Sequence, residues 1–132
     1  MKSNIKIGDK VSIKKTFTKE DVESFALLTG DYNPLHFDEK YASLTIFKRP
    51  IVHGPLVVTM ITTLFANNLP GPGTVFLSHD VKYLHPVFID DEIIGTVKIV
   101  DINEKNHIFV KTTCVNKNGD IVLDGIARLK KY

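Results

Sequence analysis

The chain has 132 residues, 43% hydrophobic and 24% charged, with 8 glycines and 6 prolines. That length suits one domain, residues 1–132, whose folding buries roughly two-thirds of the surface the unfolded chain exposes. The composition excludes a disordered or collagen-like chain. With 17 basic against 15 acidic side chains the net charge is only +2, so bulk attraction to nucleic acid is not expected. One cysteine, Cys114, excludes an intrachain disulfide framework and a cysteine-rich zinc site.

The segment Met1–Lys10 lacks the apolar stretch of a signal peptide. The most apolar segment, Ile51–Phe65, is shorter than the ~20 residues a membrane span needs. The expectation is a cytoplasmic protein without a membrane segment. Lys10–Phe17 alternates Val11 and Ile13 with polar neighbours, as an outer strand does. Thr18-Lys19-Glu20-Asp21 can cap a helix, Val22, Phe25, Ala26 and Thr29 follow at helical spacing, and Gly30 is a natural stop. Asp31-Tyr32-Asn33-Pro34-Leu35-His36 is a loop, since Pro34 biases Asn33 away from helical angles. A short helix begins at Asp38. A second major helix starts at Gly54-Pro55, where a first-turn proline loses no bond, and runs to Asn67-Asn68. It is apolar on most of its circumference, so something must wrap it.

The second half supplies the wrapping. Thr74–Leu84, Glu92–Ile102, His107–Val115 and Ile121–Lys130 read as strands, with Asn118-Gly119 a tight-turn signal between the last two. The fold class is α+β: one antiparallel sheet curled around one apolar helix. Sheet edges need cover, and pairing with a second subunit is the usual remedy.

Two features can carry chemistry. Asp31, Asn33 and His36 form the densest polar cluster, and a carboxylate and an imidazole on one loop can converge on a single water. The alternative is a turn that these side chains merely cap and hold. Arg49-Pro50-Ile51-Val52-His53-Gly54-Pro55 leads into the buried helix. The unpaired N–H groups of its first turn can hold an oxygen that develops negative charge, and Gly54 has no side chain to block approach. The alternative is an ordinary helix start.

Taken together, Phe25–Asp38 with its Asp-x-Asn-Pro-x-His core and the following Val52-His53-Gly54 resemble the (R)-specific enoyl-CoA hydratases, or MaoC-like dehydratases. Leu69–Gly73 and Leu84–Glu92 are similar to segments of the same family, so the likeness spans nearly the whole chain. The resemblance implies a hot-dog fold, a homodimer, and reversible addition of water to a trans-2-enoyl thioester giving the (R)-3-hydroxyacyl thioester. It implies that Asp31 and His36 activate the water, that the Gly54 N–H steadies the thioester oxygen, and that Asn33 orients the loop. Acyl-CoA, or acyl carried on acyl carrier protein, would be the substrate, and neither a metal nor an organic cofactor is called for.

Asn33, His53, Thr62 and Phe65 are the expected substrate-binding positions, although His53 also reads as a residue that supports the site from behind or as a core histidine at a helix start. A bulky Phe65 on the helix would shorten the acyl tunnel and favour chains such as crotonyl; the alternative is a plain core residue. One departure from the family is Glu39 after Asp38, where proline is frequent; it should alter only the start of the short helix. His79, His85 and His107 read as edge or surface residues, and Cys114 as a buried hydrophobe. Lys82, Arg128, Lys130 and Lys131 are candidates for coenzyme A phosphates. Two competing functions on the same fold are a thioesterase and a non-catalytic acyl-thioester binder.

Overall fold

The computed structural model describes residues 4–132. In chain order it contains β1 (Lys10–Thr16), α1 (Lys19–Thr29), a 3-10 turn (Pro34–His36), α2 (Glu39–Ser43), α3 (Gly54–Asn67), β2 (Thr74–Tyr83), β3 (Glu92–Ile102), β4 (His107–Val115) and β5 (Ile121–Lys131). The strands form one antiparallel sheet in the order β1-β3-β4-β5-β2.

The sheet buries one face because its strands alternate. Ile93, Val97 and Ile99 of β3, Ile108, Val110 and Cys114 of β4, and Leu123, Ala127 and Leu129 of β5 all point inward. They meet Leu56, Val57, Met60, Ile61, Leu64 and Phe65, which recur along α3 in pairs one turn apart. The sheet therefore grips one broad stripe of α3. Thr63 and Ala66 remain exposed on its far side. Burial pushes the Cys114 thiol up to about 12, so it stays protonated as an inert core residue.

Two segments differ from the sequence expectation. Phe17 leaves β1 and is buried, its carbonyl accepting the Asp90 N–H at 2.7 Å. His36 closes a 3-10 turn rather than lying in open loop, because Asn33 caps that turn by accepting the Leu35 N–H. The two sheet edges are unlike. β1 is studded with Lys10, Lys14 and Lys15, whereas β2 leaves Val75, Phe76 and Leu77 nearly half exposed. Among the described residues no helix is long and apolar enough to cross a membrane.

Candidate active site

The loop that carries Asp31 is built from short-range bonds. Thr29 Oγ1 accepts the Asp31 N–H, Asp31 Oδ1 accepts the Asn33 N–H, and Asn33 Oδ1 accepts the Leu35 N–H, at 3.2, 3.2 and 3.1 Å. These consecutive Asx turns are what Asp and Asn do best outside helices. Gly30 in the left-handed conformation (φ +81°) releases the chain from α1 into them. Long-range bonds then tie the loop to the start of α3. The Ile51 N–H donates to Leu35 C=O at 3.1 Å, and His36 Nδ1 donates to Ile51 C=O at 2.7 Å. On its other side the same segment bonds Val87, whose carbonyl accepts the Val52 N–H at 2.7 Å.

These ties decide the chemistry of His36. A carbonyl can only accept, so the His36 proton sits on Nδ1 and its Nε2 presents a lone pair. Burial lowers the His36 pKa below the ordinary imidazole value; the nearby His53 lowers it further, while the Ile51 bond and Asp31 pull the other way. A neutral ring with a free Nε2 is a proton acceptor ready at neutral pH. The Asp31 side chain is 45% exposed, so the pair is open to solvent on the carboxylate side.

Donor atoms of Asp31, His36 and His53 all lie within 4.8 Å of one another. Two hydrogen bonds of about 2.8 Å meeting at a tetrahedral angle span roughly 4.6 Å, so one water can bridge the carboxylate and the imidazole. Such a trio also contains metal-ligand types. His36 Nδ1 is engaged with Ile51 and His53 Nε2 with the Asp31 carbonyl, so His36 Nε2 and His53 Nδ1 are the imidazole nitrogens left without a protein partner.

The third expected group sits at the first helical position of α3. Neither a side-chain cap nor a main-chain acceptor engages the Gly54 N–H among the described residues. Pro55 occupies the next position and has no N–H to offer. Gly54 also walls a cavity of about 460 Å³, together with Phe47, Val57, Tyr83, His85 and Val87. The ring of Tyr83 lies so close that a Cβ at position 54 would come within 2.8 Å of its Cε1. Only glycine fits there without displacing the ring.

A family model described as a MaoC like domain matches residues 3–119. This chain belongs to that family. Its curated relatives include an (R)-specific enoyl-CoA hydratase of Aeromonas caviae, 34% identical over 128 residues that cover 96% of each protein. They also include a mitochondrial 3-hydroxyacyl-[acyl-carrier-protein] dehydratase of Arabidopsis thaliana, 37% identical over 130 residues, 96% of this chain and 77% of that one. Among solved structures, the (R)-hydratase from A. caviae involved in PHA biosynthesis superposes with a TM-score of 0.94 at 32% identity, covering 99% of this chain and 100% of that one. The MaoC-like chain thus has the hot-dog architecture expected of it, an antiparallel sheet around a helix.

The expected site residues divide into those brought together and those kept apart. Asp31, Asn33, His36 and His53 converge on the junction of the loop with α3, whose first residue is Gly54; of the five, Gly54 alone lines the cavity. Thr62 and Phe65 do not join them. Phe65 is fully buried in the core, edge-on to Phe76 at 5.3 Å, and the Thr62 hydroxyl donates to Thr59 C=O. Neither lines the cavity beside Gly54, because both lie two turns or more along the helix from its start.

Nothing in the sequence pattern marks Tyr83, at the end of β2, or Phe47 as site residues; their place beside Gly54 is a tertiary fact. Burial raises the Tyr83 phenol pKa above its ordinary value. Of the candidate phosphate ligands, Arg128 is already occupied by His107 Nδ1 and the Phe109 face, and Lys131 by the Pro70 carbonyl.

Proposed function

We propose that this chain is an (R)-specific enoyl-CoA hydratase, adding water reversibly to a trans-2-enoyl-CoA to give the (R)-3-hydroxyacyl-CoA. The observation that carries the reading is that an imidazole nitrogen of His36 and a carboxylate oxygen of Asp31 lie within 4.8 Å of each other, a separation one water can bridge, while the glycine amide at the start of α3 is left free. In the forward direction the bridged water gives its oxygen to C3 of the enoyl group while a proton is delivered to C2. Asp31 and His36 hold the water and carry its protons. A positioned base of this kind is worth about 10²–10⁴ in rate. Charge moves onto the thioester oxygen as the C3–O bond forms, and the Gly54 N–H at the positive end of α3 steadies it. Asn33 acts through the loop, since its side chain caps the 3-10 turn that presents His36.

Short acyl chains fit this reading, because Phe65 fills the space between α3 and β2 that a longer tail would need. We also propose that the protein is a cytoplasmic homodimer. The apolar β2 edge, with Val75, Phe76 and Leu77 exposed, is the face that a second copy would cover, while the lysine-rich β1 edge resists pairing.

The test is spectrophotometric. Crotonyl-CoA should lose its conjugated absorbance in the presence of the protein, and chiral analysis should find the (R)-alcohol. Release of free thiol instead would mean a thioesterase, and saturable binding without turnover a binding protein. Rates on C8 substrates equal to or above C4 would end the short-chain preference, and light scattering reads the dimer. The acyl-carrier-protein dehydratase remains a second reading on the strength of the Arabidopsis relative; paired assays with the two carriers separate them.

A further inference from the structure

The side chain of His53 is buried beside Asp31 and His36, and of the roles expected of it neither substrate contact nor plain core packing accounts for its bonds, which leaves support of the site from behind. We propose that His53 is a positioning residue: from beneath His36 it donates Nε2–H to the Asp31 main-chain carbonyl, setting the distance at which Asp31 and His36 share one water. The inference deepens the hydratase reading and rests on it.

The geometry gives this bond its direction. His53 is 1% exposed, and its Nε2 lies 3.1 Å from Asp31 C=O, which can only accept. The proton therefore sits on Nε2. Nδ1 has no partner, and as a bare lone pair it costs less than a buried N–H without an acceptor. The Asp31 Oδ2 lies 4.0 Å from the same nitrogen, beyond hydrogen-bond reach. His53 thus holds Asp31 by its backbone and leaves the carboxylate for the water.

The same ring stacks on His36, centroids 3.8 Å apart and planes 31° from parallel, with Phe25 packed against it at 4.8 Å. One side chain consequently touches both members of the pair. Its necessity shows in what else holds Asp31. The remaining bonds of that residue run to Thr29 and Asn33 within its own loop, and they fix the turn without fixing it against α3. Among the described residues, the His53 bond is the one tie from Asp31 to a distant segment. Misplacement by about 1 Å can cost 10²-fold in rate, so this tie acts on turnover rather than on affinity.

Two substitutions separate the roles. His53→Gln can still donate from an amide nitrogen near the same place; His53→Met fills similar space and donates nothing. On crotonyl-CoA, His53→Met should lower kcat roughly 10–10²-fold with KM unchanged, and His53→Gln should recover most of the loss. In an Asp31→Asn background, His53→Met should cost little more, because the two act as a unit. An unimpaired kcat, a rise in KM alone, or equal losses in both backgrounds would overturn the inference.

A second readout does not depend on activity or on the variants folding. Long-range proton–nitrogen NMR of the labelled wild-type protein should show the His53 ring protonated on Nε2 alone. A proton on Nδ1 would overturn the inference even for an active enzyme. Wild-type protein that leaves enoyl-CoA unchanged would instead defeat the hydratase reading, with the spectrum still judging the bond.

Discussion

Helices α1 and α3 begin in opposite ways. At α1, Thr18 Oγ1 accepts the Asp21 N–H and Asp21 Oδ2 accepts the Thr18 N–H, a reciprocal capping box at 3.2 and 3.0 Å. Asp38 caps α2 on Tyr41 N, and Asn33 caps the 3-10 turn. At α3, the longest helix, no side chain caps the end, although it is the most deeply packed. A free helix end forgoes about 1 kcal/mol that a good cap contributes. The chain has capping residues elsewhere, so the open end of α3 is a place where stability gives way to a polarised amide facing a cavity.

The sharpest way to break this comparison is at the Asp31–His36 pair, carried by the loop that is bonded to the segment leading into α3. Asp31→Asn or His36→Gln should lower kcat roughly 10²–10⁴-fold with little change in thermal midpoint, measured on crotonyl-CoA. Near-normal turnover would remove those residues from the mechanism.

Next in size is the amide itself. Gly54→Pro deletes the N–H at a position where proline suits a helix start, and should cost roughly 10²–10³ in kcat. Gly54→Ala is the control, since its Cβ meets the same Tyr83 ring but the N–H is kept. Equal losses in the two variants would assign the effect to crowding, and the contrast between the helix ends would lose its functional meaning.

The capped end predicts the reverse pattern. Thr18→Ala should cost about 1 kcal/mol in urea unfolding and leave kcat and KM unchanged. A change in kcat there would tie α1 to the chemistry.

The smallest effect is on pH dependence. His36 and His79 are both lowered in pKa, chiefly by burial. The unfolded chain therefore binds more protons than the folded one just below the ordinary imidazole value of 6.5, so stability rises with pH in that window. It is fully present above 6.5 and is lost as pH falls through the two lowered values. Thermal midpoints should be flat at neutral pH and fall below it. The acid limb of kcat/KM should lie below 6.5 for the same reason, and a limb above it would contradict a neutral, buried His36.

Much of the site was legible because its parts are local. Asp31, Asn33 and His36 build their turn from neighbours two residues apart, and Gly54-Pro55 marks a helix start by conformational preference alone. Helical spacing also identified α3 as the buried helix. It could not say which part of that helix meets a cavity, so Phe65 reads equally as a wall of the acyl tunnel or as core; in the fold it packs against Phe76, away from the cavity beside Gly54. Alternation found the strands to within a residue or two at either end. It carried no information on their order, in which β2, first of the four late strands, pairs with the last and becomes an edge.

By itself, then, the amino-acid sequence determined which residues could do chemistry, the local turns that present two of them, and the amphipathic elements that must bury one face. Tertiary structure alone decided that His36 has its proton on Nδ1, that His53 lies beneath it with a bond to Asp31, and that Tyr83 closes over Gly54. Local preference depends on neighbours along the chain, whereas a tautomer, a stacked ring and a cavity wall depend on partners that only folding brings within a few ångströms.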